Sequence, residues 1–319
     1  MVIRRNAFTY AANIFALAFS LILFFFIENS TLQFRILALT CIGVGACTSL
    51  FYICTVVEPT LSKKATIGEE NYQKSLGKKK KEMPKVYDED GNSVVQGKSA
   101  RMWLSEAQFY IFGGVYMSAR IALNSTATMM PLYLTSVTQF KPKPGMDTSP
   151  QIASVPLVQY ICSLLFSIFL QARITQRFRN RLIPMVLAVV TTVIGSVPLA
   201  FLDSGNDRYI VYPCAALQGV GIALMLNTGT SLISDVIGTD NRSSAFVYGA
   251  YSLFDKFSNG FLLWLLVRSY SKDAKALRYI LAIIPSGAAI GCALLTWIGI
   301  AMYAEKLAKI SVGSVLKNK

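Results

Sequence analysis

Charges inside an apolar chain are where chemistry has to start. Between Ser243 and Tyr270 the chain reads SSAFVYGAYSLFDKFSNGFLLWLLVRSY, with Asp255 and Lys256 side by side near the middle. The stretch is long enough to cross a bilayer as a helix. A charge at the bilayer centre costs roughly 2.5–3.5 kcal/mol on insertion scales, so such residues face a polar interior and often mark transport paths. Wound at about 100° per residue, Ser244, Tyr248, Tyr251, Ser252, Asp255, Ser258 and Asn259 all fall within about 60° of Asp255. Phe246, Leu253, Phe257 and Trp264 fall on the far side, suited to lipid or to other helices. Lys256 sits on the flank. Two readings fit the pair Asp255 and Lys256: a coupling pair on a solute path, or a structural ion pair with a snorkelling lysine.

A second constellation lies upstream. Tyr116, Arg120 and Asn124 stand at i, i+4 and i+8 and share one face of a helix. Arg120 is roughly 20 Å from the start of its helix at 1.5 Å per residue, too deep to snorkel. Its guanidinium stays charged and presents a planar fork that matches carboxylates. It can bind an anionic group of a solute, or it can pair with Asp255. A third stretch, from Gln218 to Asp235, is rich in Gly, Ser and Thr, which let helices approach closely. Asn227, near mid-membrane, is its candidate for solute contact. The expected substrate-binding set is therefore Tyr116, Arg120, Asn124, Asn227, Tyr248, Tyr251, Ser252, Asp255 and Asn259.

These residues need helices to carry them. The chain has 319 residues, 53% hydrophobic and only 15% charged, and its mean hydropathy is +0.47. Soluble proteins carry about 25% charged residues, so this composition belongs to a polytopic membrane protein. Apolar runs of about 17–25 residues predict eight helices near 8–27, 36–57, 107–134, 152–172, 183–202, 209–236, 244–268 and 278–303. The net charge of +14 is spread as a positive-inside pattern rather than as a nucleic-acid surface. With both termini cytoplasmic, 21 Lys and Arg lie inside and eight outside. Arg268, Lys272, Lys275 and Arg278 run against that pattern.

Residues 1–57 are expected to form two transmembrane helices and 58–106 a charged, largely disordered cytoplasmic linker. Residues 107–304 are expected to form a six-helix bundle, with 305–319 as a cytoplasmic tail. Within the linker, Lys78, Lys79, Lys80 and Lys81 suit a solvated run or anionic lipid heads, worth about 1 kcal/mol per residue near a surface. All six cysteines fall in expected helices and read as apolar packing residues. There is no histidine, which excludes histidine triads, histidine-ligated metals and histidine proton relays. With no nucleophile set at membrane depth an intramembrane enzyme is disfavoured, and neither cofactor nor metal is expected.

Three segments carry a family resemblance: VYMSARIALNSTATMMPLYLT (115–135), ASVPLVQYICSLLFS (153–167) and SSAFVYGAYSLFDKFSNG (243–260). They resemble the major facilitator superfamily, in the branch that includes the lysosomal and melanosomal cysteine importer and its relatives, the glycoside–pentoside–hexuronide:cation symporters. RRNAFTYAANIFAL (4–17) looks like the start of that family's fifth helix. The resemblance implies an all-α polytopic fold whose eight helices are the last eight of twelve. It implies a solute cavity between two halves, alternating access and a lysosomal or related membrane. The solute would be an amino acid such as cysteine, or a sugar coupled to a proton or sodium ion whose site lies on earlier helices. The first four helices are expected to be missing, so that Asn13, Ser20, Thr40, Gly43 and Cys47 would face toward them. A transport-inactive membrane protein that binds a partner is the remaining alternative.

Overall fold

Apolar backbone in a bilayer has to satisfy its own hydrogen bonds, and helices do this within one segment. The computed structural model is accordingly helical. It describes residues 2–55, 86–87, 93–94, 100–140, 144, 147–171, 173–174, 181–202, 206–237, 241–270 and 273–316, with only the backbone described for 2–5, 86–87, 93–94, 206–207, 241–243 and 304–316. The long helices are α1 (Val2–Phe26), α2 (Ser30–Thr55), α4 (Ala107–Ser136), α5 (Gln151–Phe166), α6 (Leu182–Ser196), α7 (Val211–Ile237), α8 (Asn241–Tyr270) and α9 (Ala274–Leu316). A π-helical turn, Ser167–Gln171, continues α5, and a 3-10 turn, Val197–Ala200, continues α6. Six spans among the described residues are long and apolar enough to cross a membrane: those of α1, α2, α5, α6, α7 and α9. The two long helices outside that group, α4 and α8, each have 30 residues and carry Arg120 and Asp255. They fall short in apolar character, not in length. The protein is an all-α polytopic membrane protein.

Contacts divide the chain into two compact units, Met1–Gln33 with Lys98–Lys319, and Phe34–Gly97. The sequence pairs α1 with α2 as an N-terminal remnant, whereas α1 belongs with the larger unit. Within that unit α4 packs along α9 and α8, α6 along α7, and α5 along both α7 and α1. In the smaller unit the part of α2 from Phe34 on is exposed or half-buried, and Val86–Tyr87 pairs antiparallel with Ser93–Val94.

Several expectations shift. Residues 100–105, at the end of the stretch expected to be a largely disordered linker, form a short helix, α3 (Ala100–Ser105). Its Trp103 is 2% exposed and joins Phe109, Ile233, Ile237, Val247 and Tyr251 in one apolar cluster, which supplies the reason it folds. The lysines 78–81 lie outside the described residues. The span expected to end at 303 does bend there: Tyr303 has φ −124° and ψ 18°, and the backbone is helical again beyond it to Leu316. Of the six cysteines only Cys214 and Cys292 are buried, while Cys41, Cys47 and Cys54 are exposed. Ser20, assigned to a face turned outward, is buried.

Close packing sets the positions of α4, α7 and α8. A Cβ at Gly219 would run into the backbone carbonyl of Gln159, and one at Gly221 into the Thr192 hydroxyl. These glycines let α7 lie against α5 and α6. Gly113 plays the same part toward α8: a Cβ there would stand 2.8 Å from Cε1 of Tyr251. The Tyr251 ring occupies this gap, and its hydroxyl donates to the carbonyl of Phe109 at 2.7 Å.

Candidate functional site: a buried ion pair and a polar ladder

Gly113 and Tyr251 bring α4 and α8 together, and one helical turn beyond Tyr251 comes Asp255. Two turns beyond Gly113 comes Arg120. The two meet: Arg120 Nε donates to Asp255 Oδ2 at 3.1 Å. Asp255 is 3% exposed and Arg120 22% exposed at the side chain, so the carboxylate is sealed while the guanidinium reaches an open edge. On its other oxygen Asp255 Oδ1 accepts from Asn259 Nδ2 at 2.7 Å, and the same amide donates to the Asp255 carbonyl at 2.8 Å. Asn259 Oδ1 is buried with no hydrogen-bond partner among the described residues. The ion pair is made through Nε alone. Neither terminal Nη of Arg120 donates to another described residue, so two coplanar donors remain at the exposed edge.

The partner of Asp255 is thus Arg120 and not Lys256, which is exposed. Neighbours in sequence diverge by about 100° on a helix and do not face each other. Arg120 sits 135 positions away in the chain but directly opposite in space. The stripe on α8 is narrower than its spacing implies. Tyr251, Asp255 and Asn259 are buried, Ser244, Tyr248 and Ser258 are half-buried, and Ser252 is exposed. Ser252 falls outside because the packed face also takes in Val247, about 80° from Asp255 on the side away from Ser252. On α4 Tyr116, Arg120 and Asn124 are all half-buried along one face.

Asn227, expected to contact a solute, is enclosed by protein. It is 1% exposed, and both halves of its amide are engaged. Its Oδ1 accepts from Asn6 Nδ2 at 2.6 Å, and its Nδ2 donates to Ser167 Oγ at 3.0 Å and to Gln171 Oε1. It is a junction of α1, α5 and α7. A polar ladder leads to it: Gln159, Ser163, Ser167 and Gln171 recur every fourth residue, and all four are buried. Ser163 Oγ donates to the Gly219 carbonyl at 2.8 Å. In a regular α-helix twelve residues of such spacing would drift by about 120°. The π-helical turn at Ser167–Gln171 underwinds the helix and keeps Gln171 on the side of Asn227.

The sequence reading passed over Asn6, Tyr10, Tyr160, Ser167 and Gln171. The repeat of polar residues at four-residue spacing in 159–171 was the available signal for the last two. Asn6 and Tyr10, also four apart, share the buried face of α1. The rings of Tyr10 and Tyr160 lie 6.4 Å apart at 45°. No such signal marks a tyrosine within an apolar run.

Known proteins share this pattern of sequence. The sequence model of the Major Facilitator Superfamily matches residues 2–261, from α1 into α8. The mouse (Mus musculus) major facilitator superfamily domain-containing protein 12 is 36% identical over 159 residues, which is 50% of this chain and 31% of the relative. Its horse (Equus caballus) counterpart is 27% identical over 246 residues, 73% of this chain and 43% of the relative. The human (Homo sapiens) protein of that name gives 36% over 159 residues. The chain spans less than half the length of these curated relatives. No solved structure matches it. With a match that runs through seven of its eight long helices, the chain belongs to the Major Facilitator Superfamily.

Proposed function

We propose that this chain forms one wall of the solute path in a secondary transporter, and that its solute is a small amino acid, cysteine being the one the sequence resemblance implies. The observation that carries the reading is the side-on hold of Arg120. Asp255 takes Nε and leaves the two Nη donors at the exposed edge, and a carboxylate fills that edge with two parallel hydrogen bonds. Nearby, the buried Oδ1 of Asn259 is an acceptor without a donor, which suits an ammonium group. A donor edge and an acceptor close together match a zwitterion better than a neutral sugar. Membership of the family supports transport, with alternating access as its mechanism and a lysosomal or related membrane as its location. A proton or sodium ion would drive it, from a site outside the residues discussed here.

Uptake into proteoliposomes tests the proposal. L-cysteine, its methyl ester and a hexose are set in competition against labelled cysteine. Competition by cysteine alone supports the reading, and equal competition by the methyl ester removes Arg120 as a carboxylate reader. Competition by the hexose alone would favour the sugar transporter. Absence of any flux would favour a partner-binding role.

A further inference from the structure

Helices α8 and α9 meet at one turn, and each carries a cation at that end on its exposed side. On α8 the exposed residues Leu253, Phe257, Phe261 and Trp264 form one stripe. At 100° per residue they and Arg268 all lie within about 40° of Phe257. The stripe thus runs out in Arg268, which is exposed as well. On α9 the exposed residues Tyr279, Ile283, Ile290 and Trp297 form a second stripe. Lys275, also exposed, stands one turn before Tyr279 on the same line. Large apolar side chains exposed along a helix in a bilayer mark its lipid-facing side. The turn is closed by the Asp273 amide, which donates to the Tyr270 carbonyl at 3.2 Å. Arg268 and Lys275 therefore flank a single hairpin.

Depth puts these cations among headgroups. Asp255 stands at the midpoint of α8. At 1.5 Å per residue, Trp264 lies about 14 Å beyond it and Arg268 about 20 Å. Half the hydrocarbon thickness of a bilayer is about 15 Å. Trp264 is thus at the apolar boundary and Arg268 at the level of the phosphates. The Arg268 guanidinium lies over the Trp264 ring, 5.8 Å from its centroid. A guanidinium stacked on a ring keeps its in-plane N–H donors for a phosphate.

An aromatic anchor would account for the rings but not for the charge. Residues 268–278 hold four basic residues, Arg268, Lys272, Lys275 and Arg278, against one acid, Asp273. Lys272 lies outside the described residues. The Asp273 carboxylate is turned onto α9, where Oδ1 accepts from the backbone N–H groups of Lys275 and Ala276 at 2.9 and 3.3 Å. Among the described residues no ion pair takes up Arg268 or Lys275. With both termini cytoplasmic, as the charge pattern leads one to expect, this is the leaflet in which basic residues are scarce.

We propose that Arg268 and Lys275 form a docking surface for anionic phospholipid headgroups in the leaflet that the α8–α9 turn reaches. Trp264 and Tyr279 pack against the upper acyl chains. A zwitterionic lipid brings its own cation to the phosphate and gains less from these two. The surface is independent of the identity of the solute.

Quenching of tryptophan fluorescence by brominated lipids tests this in the full chain, reconstituted into vesicles of phosphatidylcholine or phosphatidylglycerol. The chain has three tryptophans. Trp103 is buried, and Trp297 lies about 33 Å from Lys275 along α9, at the opposite boundary. Trp297→Phe therefore makes Trp264 the reporter, and Trp264→Phe makes Trp297 the reporter. At Trp264 brominated phosphatidylglycerol should be preferred at least about 5-fold, the worth of one basic residue near an anionic surface. Arg268→Gln combined with Lys275→Gln should bring that preference to within about 2-fold of unity and leave the Trp297 reporter unchanged. Both side chains are exposed, so the double variant strands no buried group. Equal quenching by the two lipids at Trp264 overturns the proposal, and so does a preference that survives the double variant. An equal fall at Trp297 also overturns it, because the preference would then belong to the whole surface.

Discussion

Replacing Asp255 by Ala removes the counter-charge of Arg120 and one acceptor of Asn259 together. Removing one partner of a buried ion pair costs about 3–5 kcal/mol. The lower end applies here, because Arg120 keeps 22% of its side-chain surface exposed and can hydrate its free Nη groups. The expected loss is about 3 kcal/mol. Asp255→Asn should cost less. Its amide oxygen can accept from Arg120 Nε, and its amide nitrogen can donate to Asn259 Oδ1 once that side group flips, which gives the orphaned oxygen a partner. The charge is then missing, worth about 1.5–3 kcal/mol, and the flip gives up the Asn259 bond to the carbonyl of residue 255 in exchange. The assay is a double-mutant cycle of Arg120→Leu with Asp255→Ala, read by denaturant unfolding in detergent, with Lys256→Gln as the comparison. The coupling energy should be about 2 kcal/mol for Arg120 and within about 0.5 kcal/mol of zero for Lys256. Additive effects of Arg120 and Asp255, or rescue of Asp255→Ala by Lys256→Gln, would refute the assignment of the pair.

Asn227→Leu strands Asn6 and Gln171 in an apolar interior, and should destabilise by about 2–6 kcal/mol, counting about 1–3 kcal/mol per orphaned group; an unfolding midpoint equal to wild type would contradict the junction. Gly219→Ala drives a methyl group into the Gln159 backbone carbonyl, so it should cost about 1–3 kcal/mol and lower expression, whereas Gly249→Ala, with open space around it, should be neutral in the same assay. Tyr251→Phe loses a single bond to the Phe109 carbonyl and should cost about 1 kcal/mol by thermal denaturation; no change in Tm would mean that the bond contributes nothing net.

Much of the fold could be read from the chain itself. Apolar runs gave eight helices whose ends mostly fall within a few residues of those found, because length and hydropathy are properties of each segment alone. The polar stripe of α8 was legible for the same reason: Tyr251, Asp255 and Asn259 share a face whatever surrounds them. Partners across helices were not legible. Lys256 presented itself as the partner of Asp255 by adjacency, while Arg120, 135 positions away, could only be one of two options. Asn227 was read as exposed to the path because mid-membrane amides often are, and only its neighbours on α1 and α5 reveal that it is saturated. Trp103 was hidden by the charged residues around it, since a single buried ring does not alter the composition of a linker.

The polar ladder from Gln159 to Gln171 has a thermal consequence. In water, apolar cores lose strength on cooling because the hydrophobic effect fades, and that decline gives the stability curve its bend. Helices inside lipid have no hydrophobic term driving them together, only packing and hydrogen bonds. The α5–α7 seam is built of just these, with glycine contact at Gly219 and amide and hydroxyl bonds at Ser163, Ser167, Gln171 and Asn227. Nothing in it fades as the temperature falls. Chilling should therefore slow this region without loosening it, and the seam should stay closed at temperatures where a water-soluble core of the same size begins to come apart.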